Sequence, residues 1–196
     1  LGHARALEIQ SAKYPIRRVV VKSFTVPRGI LDVSQEKLIS GQIPQRIIIG
    51  LVDNEGFIGA YGRNPFNFQN CGLNEIAVYI DGQMNNQIKP LKPDFTHNHY
   101  TESYLSIFSS VGKLHSDEGN AIKISEFPSG YCLFGFDLSP DLNEGPFFNL
   151  VKTGTVRLAI KLKEALDRAI SVVCYCEYEN VIEVSKNREI LFDFSS

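Results

Sequence analysis

Between Thr155 and Lys163 the chain reads TVRLAIKLK, with Val156, Leu158, Ile160 and Leu162 at every second position and Arg157, Lys161 and Lys163 between them. A period of two puts one set of side chains on each face of an extended strand. One face of this strand is therefore apolar and the other charged, as in a sheet packed on one side and wetted on the other. Further strand candidates are YPIRRVVVKSFTV (14–26), LNEIAVYID (73–81), QIKPL (87–91), GYCLFGFDL (130–138), AISVVCYCEY (169–178), REILFDF (188–194) and QRIIIGLV (45–52), the last a continuous apolar run too short for a helix. These make eight strand candidates. Alternation with a single apolar face predicts antiparallel sheets packed face to face, here two sheets of four strands.

One segment departs from that period. NHYTESYLSIFSSVGK places Tyr100, Tyr104, Ile107, Phe108 and Val111 at helical spacing. Asn98 suits an N-cap, Glu102 the first turn and Gly112 the stop, which predicts a helix over about 98–111 outside the sandwich. EALDRA (164–169) is short enough to be a hairpin loop. Eight strands, long connections and one helix predict an all-β fold: an eight-stranded antiparallel jelly-roll sandwich with one inserted helix. An immunoglobulin-like sandwich is the nearest competitor, but its Trp signature is missing because the chain has no Trp. Residues 1–13 are less patterned and read as an N-terminal arm or linker, and 14–196 as a single jelly-roll domain.

A length of 196 residues with 43% hydrophobic content suits one domain with a sizeable core. A net charge of −2 gives no general pull toward nucleic acid or anionic lipid. No apolar run approaches the roughly 20 residues of a membrane helix. The first residue is not Met, so the chain is expected to be a fragment, a truncated copy or a processed product. Cys71, Cys132, Cys174 and Cys176 read as reduced thiols, three of them in apolar strand patterns.

Four groups of residues invite a chemical reading. His97, His99 and Glu102 in HNHYTE approach the His-x-His…Glu metal motif of cupins, which are also jelly rolls, and imidazoles with a carboxylate suit iron, zinc or manganese. The spacing from His99 to Glu102 is too short for that motif, and a helix start would separate Glu102 from His97. Cys174 and Cys176 lie on one strand face at roughly 6.5 Å, without the two further ligands that zinc needs. Asp137, Asp141 and Glu144 crowd the stretch DLSPDLNEGP. Pro140 and Gly145–Pro146 make this a turn, and the carboxylates read as acceptors for nearby amides. Lastly, the loop around VDNEGFIGAYGRNPFNF is rich in Gly and Asn yet carries Phe57, Tyr61, Phe66 and Phe68, which either cap the barrel end or form contacts. No catalytic, cofactor-binding or metal-binding residue is assigned, and no cofactor is expected.

The phrases YPIRRVVVKSFTVPRG, VDNEGFIGAYGRNPFNF, GYCLFGFDLSPDLNEG, FNLVKTGTVRLAIKL and ENVIEVSKNREILFDF resemble the hexon-type major capsid proteins of Polinton (Maverick) elements and adintoviruses. The resemblance runs from about Tyr14 to Phe194. It implies a double jelly-roll parent of which this chain is the C-terminal half. It further implies a non-enzymatic structural protein of the virion, a homotrimer in the full-length parent and contacts with other capsid proteins such as penton. The parent would assemble inside the cell, in nucleus or cytoplasm, with no membrane partner and no specific nucleic-acid recognition. The alternatives are a cupin-like metalloenzyme and a jelly-roll module that binds carbohydrate or protein.

Overall fold

The computed structural model describes residues 7–83, 88–139 and 151–192. Its principal sheet has the strand order β1–β9–β3–β7, built from β1 (Ala12–Val26), β9 (Ile170–Val184), β3 (Arg46–Asp53) and β7 (Leu133–Asp137). A short β10 (Ile190–Phe192) pairs with the far end of β9. The facing sheet has the order β2–β8–β5, from β2 (Asp32–Gln42), β8 (Thr153–Leu162) and β5 (Leu73–Ile80). Two short strands, β4 (Phe68–Gln69) and β6 (Ser129–Gly130), form a separate pair. Every ladder between these strands is antiparallel.

Apart from the short β4, β6 and β10, successive strands alternate between the two sheets, so the chain crosses the sandwich repeatedly, as a jelly roll does. The two sheets are not equal. QIKPL, one of the eight strand candidates, contributes among the described residues only a single bridge, Ile76 to Leu91. Pro90, which has no amide to donate, is one reason the pairing stops there. Conversely, β2 carries no clean alternation, because its register against β8 shifts between Gln35 and Ile39. That bulge breaks the period of two.

The core forms where the inner faces meet. Ile47, Ile49, Leu51, Val172, Cys174, Cys176 and Phe134 face Val156, Leu158, Ile160, Ile76 and Val78, all buried. Each such side chain contributes roughly 1.5–3 kcal/mol by leaving water. On the other face of β8, Lys161 reaches Glu75 at 3.2 Å and is exposed. Arg157 differs from the simple solvated residue expected of it: it lies 4.0 Å above the Tyr79 ring and is half-buried.

Helix α1 (Asn54–Ile58) was not anticipated. Asp53 caps it by accepting from the Glu55 amide at 3.1 Å, and Gly59 ends it in the left-handed region, at φ 106°. Helix α2 (Thr101–Ser110) is the predicted helix, shortened at its start. Its N-cap is Tyr100, without a side-chain cap. Asn98 is held instead at φ 59° by the Asp94–His99 backbone pair that closes the preceding loop. Gly112, at φ 68°, follows the helix as expected.

Helix α2 packs on β7 through small residues. Ser103 and Ser110 are buried, and Ser106 Oγ accepts from the Gly135 amide at 3.1 Å. Sealing an edge strand in this way removes a template for unwanted pairing. Tyr100 and Tyr104 anchor the helix from its other side. Their rings each lie 5.8 Å from that of Phe127, which is buried and lies 5.9 Å from Phe134.

Candidate functional site

His97 and His99 lie on the loop closed by the paired backbones of Asp94 and His99. His97 Nδ1 is 2.6 Å from Asp94 Oδ2, and the two imidazole rings are 6.3 Å apart. Asp94 Oδ1 also accepts from the Thr96 and His97 amides, so the carboxylate organises the turn. The hydrogen bond from His97 is the main influence holding the Asp94 carboxyl below its usual range. Glu102 belongs to a different element, on α2, where it lines a groove with Leu105, Lys89 and Asp137. Among the described residues, no three His, Cys, Asp or Glu side chains come together as a metal site.

Cys174 and Cys176 point into the core, as their place on one strand face requires. Burial pushes the Cys174 thiol up to about 12 and the Cys176 thiol up to about 11. Cys132 is raised by the same cause. Thiols held protonated are poor nucleophiles and poor metal ligands. Cys71 is only partly buried, yet desolvation raises it to about 11 against the opposing pull of Arg168.

Asp137 is the turn acceptor that the stretch DLSP predicts. Its Oδ1 takes hydrogen bonds from the Ser139 amide at 2.9 Å and the Ser139 hydroxyl at 2.6 Å. Asp141 and Glu144 lie outside the described residues.

The aromatic side chains of the loop differ in exposure. Phe68 folds back, its ring lying where a side chain at Gly50 would stand. Tyr61 is fully exposed and Phe66 largely so, while Phe57 is the most covered of the three that project. Asp53 secures the base of the loop through Arg63 at 2.6 Å and Arg168 at 3.7 Å.

Alternation along β8 gave no hint of a second apolar surface, on the outside of the larger sheet. There Val19 and Val21 of β1 are exposed beside half-buried Val173 and Tyr175 of β9 and Ile48 of β3. Tyr175, Ile48, Gly50, Phe68, Leu133 and Val111 border a recess of about 320 Å³. One end of it carries Glu177, 3.8 Å from Arg46 and 3.5 Å from Arg17. The signal lay in the odd-numbered residues of YPIRRVVVKSFTV, where two valines occupy positions that a simple sandwich would leave polar. This arrangement can bind an apolar surface. It has no nucleophile, base and oxyanion donor set among the described residues.

No protein-family model matches the chain. It is 29% identical over 193 residues to the uncharacterized protein F54H12.2 of Caenorhabditis elegans, covering 97% of this chain and 46% of that protein. Its fold is similar to a chain of the PBCV-1 virus capsid, with a TM-score of 0.55 and 10% identity, over 95% of this chain and 52% of the other. PBCV-1 VP54, in a structure fitted into a reconstruction of the virophage Sputnik, gives the same values. The chain thus spans about half the length of the curated relative and of these capsid chains. Its fold is the jelly-roll sandwich found in these virus capsid proteins.

Proposed function

We propose that this chain is one jelly-roll unit of a hexon-like major capsid protein of the Polinton and adintovirus type, whose full-length parent forms trimers in an icosahedral shell. The observation that carries this reading is the match of 95% of the chain to capsid chains about twice its length. The described residues fit the role: a rigid double-sheet core, buried protonated thiols, an edge sealed by α2, and apolar side chains at the surface. In this reading the protein does no chemistry and holds no cofactor. Its partners are its own copies and other capsid proteins such as penton, and it resides in the virion after assembly in nucleus or cytoplasm.

The test is expression of the longer polypeptide to which the resemblance assigns this sandwich, followed by negative-stain electron microscopy. The proposal predicts closed shells or hexagonally packed patches. Dispersed single molecules at every concentration would count against it.

A further inference from the structure

Cys174 and Cys176 of β9 point into the core, so Glu177, next along the strand, belongs to the outer face. It is only 7% exposed there and lines the recess of about 320 Å³. Its Oε2 accepts from the Tyr175 hydroxyl at 3.3 Å. Its Oε1 is buried and has no hydrogen-bond partner among the described residues. Arg17 and Arg46 approach that oxygen at 3.5 and 3.8 Å, which is ionic contact rather than hydrogen bonding. We infer that the recess is a binding site for a small neutral organic molecule with an apolar body and one hydroxyl group, which donates to Glu177 Oε1. The inference stands apart from the capsid reading, because it needs only this sheet.

The walls are the first support. β3 runs between β9 and β7. Gly50 lies opposite Val173, Ile48 opposite Tyr175, and Arg46 opposite Glu177. The floor therefore passes from an apolar end to a charged end along two paired strands. Leu133, Val111 and Phe68 complete the lining. Gly50 makes room for the last of these, since a Cβ there would lie 2.5 Å from the Phe68 ring. A floor of hydrogen-bonded strands is formed before a ligand arrives, which keeps the cost of ordering low.

Size is the second. Small-molecule pockets span roughly 300–1,000 Å³, and this recess is at the lower end. It suits one ring with a short alkyl tail. A stable protein interface needs about 800 Å² per partner, more than these few side chains supply.

The head group follows from the charges. A buried acceptor without a donor costs free energy, and a ligand that supplies the donor recovers it. A carboxylate or phosphate head would set a second anion against Glu177. An ammonium would be a third cation beside Arg17 and Arg46. A hydroxyl donates without adding charge. A sugar would press several hydroxyls against Ile48, Val173 and Leu133, where they find no partners.

The experiment is a titration of the isotope-labelled chain with 4-propylphenol, followed through the amide NMR signals of Ile48, Gly50, Val173 and Tyr175. The comparison ligands are 4-propylanisole, which has the same body with the hydroxyl methylated, and 4-propylbenzoate. The inference expects saturable shifts at those amides with a Kd of about 0.1–1 mM. The ether should bind at least about tenfold more weakly, and the benzoate should leave the signals unmoved. Val173→Phe places a larger side chain in the recess and should abolish binding, with circular dichroism and a thermal melt to confirm the fold. Equal affinity for the phenol and its ether overturns the inference, as does binding of the benzoate at these amides. So does a native chain whose amides do not respond to the phenol, or a folded Val173→Phe that binds it undiminished. Should that variant not fold, the three ligands on the native chain decide the matter alone.

Discussion

The backbone of Gly135 and the side chain of Ser106 are joined by a 3.1 Å hydrogen bond that brings α2 against β7. A Cβ at Gly135 would lie 2.7 Å from the Ser106 carbonyl oxygen and would collide with the Ser110 side chain. The helix can come this close only because its facing residues are serines and the strand position is glycine. That approach seals the β7 edge and leaves the face around Ile48 open.

Gly135→Ala should therefore cost about 1–3 kcal/mol, the range for forcing an extra methyl into a packed contact. The φ of Gly135 is not positive, so the penalty is steric. Gly119→Ala, whose new Cβ would meet a single atom at 3.9 Å, is the control and should stay within about 0.5 kcal/mol. Urea denaturation midpoints decide the comparison, and equal effects would mean that α2 is not packed as described.

Leu158→Ala should destabilise by about 2–5 kcal/mol, because the side chain is fully buried between the sheets. Lys161→Ala should change stability by less than roughly 0.5 kcal/mol, since its ion pair with Glu75 is exposed on the lysine side. Comparable losses at both positions would place the wrong face of β8 inside.

How much of this was legible follows from what each strand packs against. β8 and β3 declared themselves because their inner faces meet a full opposing sheet, so burial writes the pattern directly. β2 did not, since the register shift between Gln35 and Ile39 interrupts the alternation that joins Val33, opposite Ile160, to Ile39, opposite Val156, and leaves Leu38 buried next to Ile39. The start of α2 was displaced because Asn98 satisfies a loop rather than a helix end. The outer face stayed hidden for another reason. Val19 and Val21 are indistinguishable in sequence from strand residues with a partner above them, and only the pairing order shows that nothing among the described residues covers them.

Glu177 and Arg46 are both nearly buried, and their contact of 3.8 Å is ionic rather than a hydrogen bond. Glu177→Ala removes a buried carboxylate that faces both Arg46 and Arg17 and should cost about 3 kcal/mol. The double variant Arg46→Met/Glu177→Leu should recover most of that loss. A double-mutant cycle measured by thermal unfolding gives the coupling, and additive losses would show that the pair does not interact.

Two carboxylates titrate low for named reasons. Asp94 is lowered chiefly by the His97 hydrogen bond and Glu75 chiefly by that of Lys161. A depressed folded-state pKa contributes stability above the unfolded value, about 3.9 for Asp and 4.3 for Glu. That contribution is lost as pH falls through the lower folded value. Carboxyl chemical shifts followed by NMR should show Asp94 moving upward in His97→Ala, with Glu75 unchanged. The reverse in Lys161→Ala completes the test, and a titration of Asp94 indifferent to His97 would contradict the geometry.

The most direct test of the structural role is native mass spectrometry of the longer polypeptide that would carry this sandwich. The capsid account predicts a trimer that dominates across a wide concentration range and carries no stoichiometric iron, zinc or manganese. A species that remains monomeric throughout, or one that retains such a metal until His97 and His99 are replaced by alanine, would contradict it.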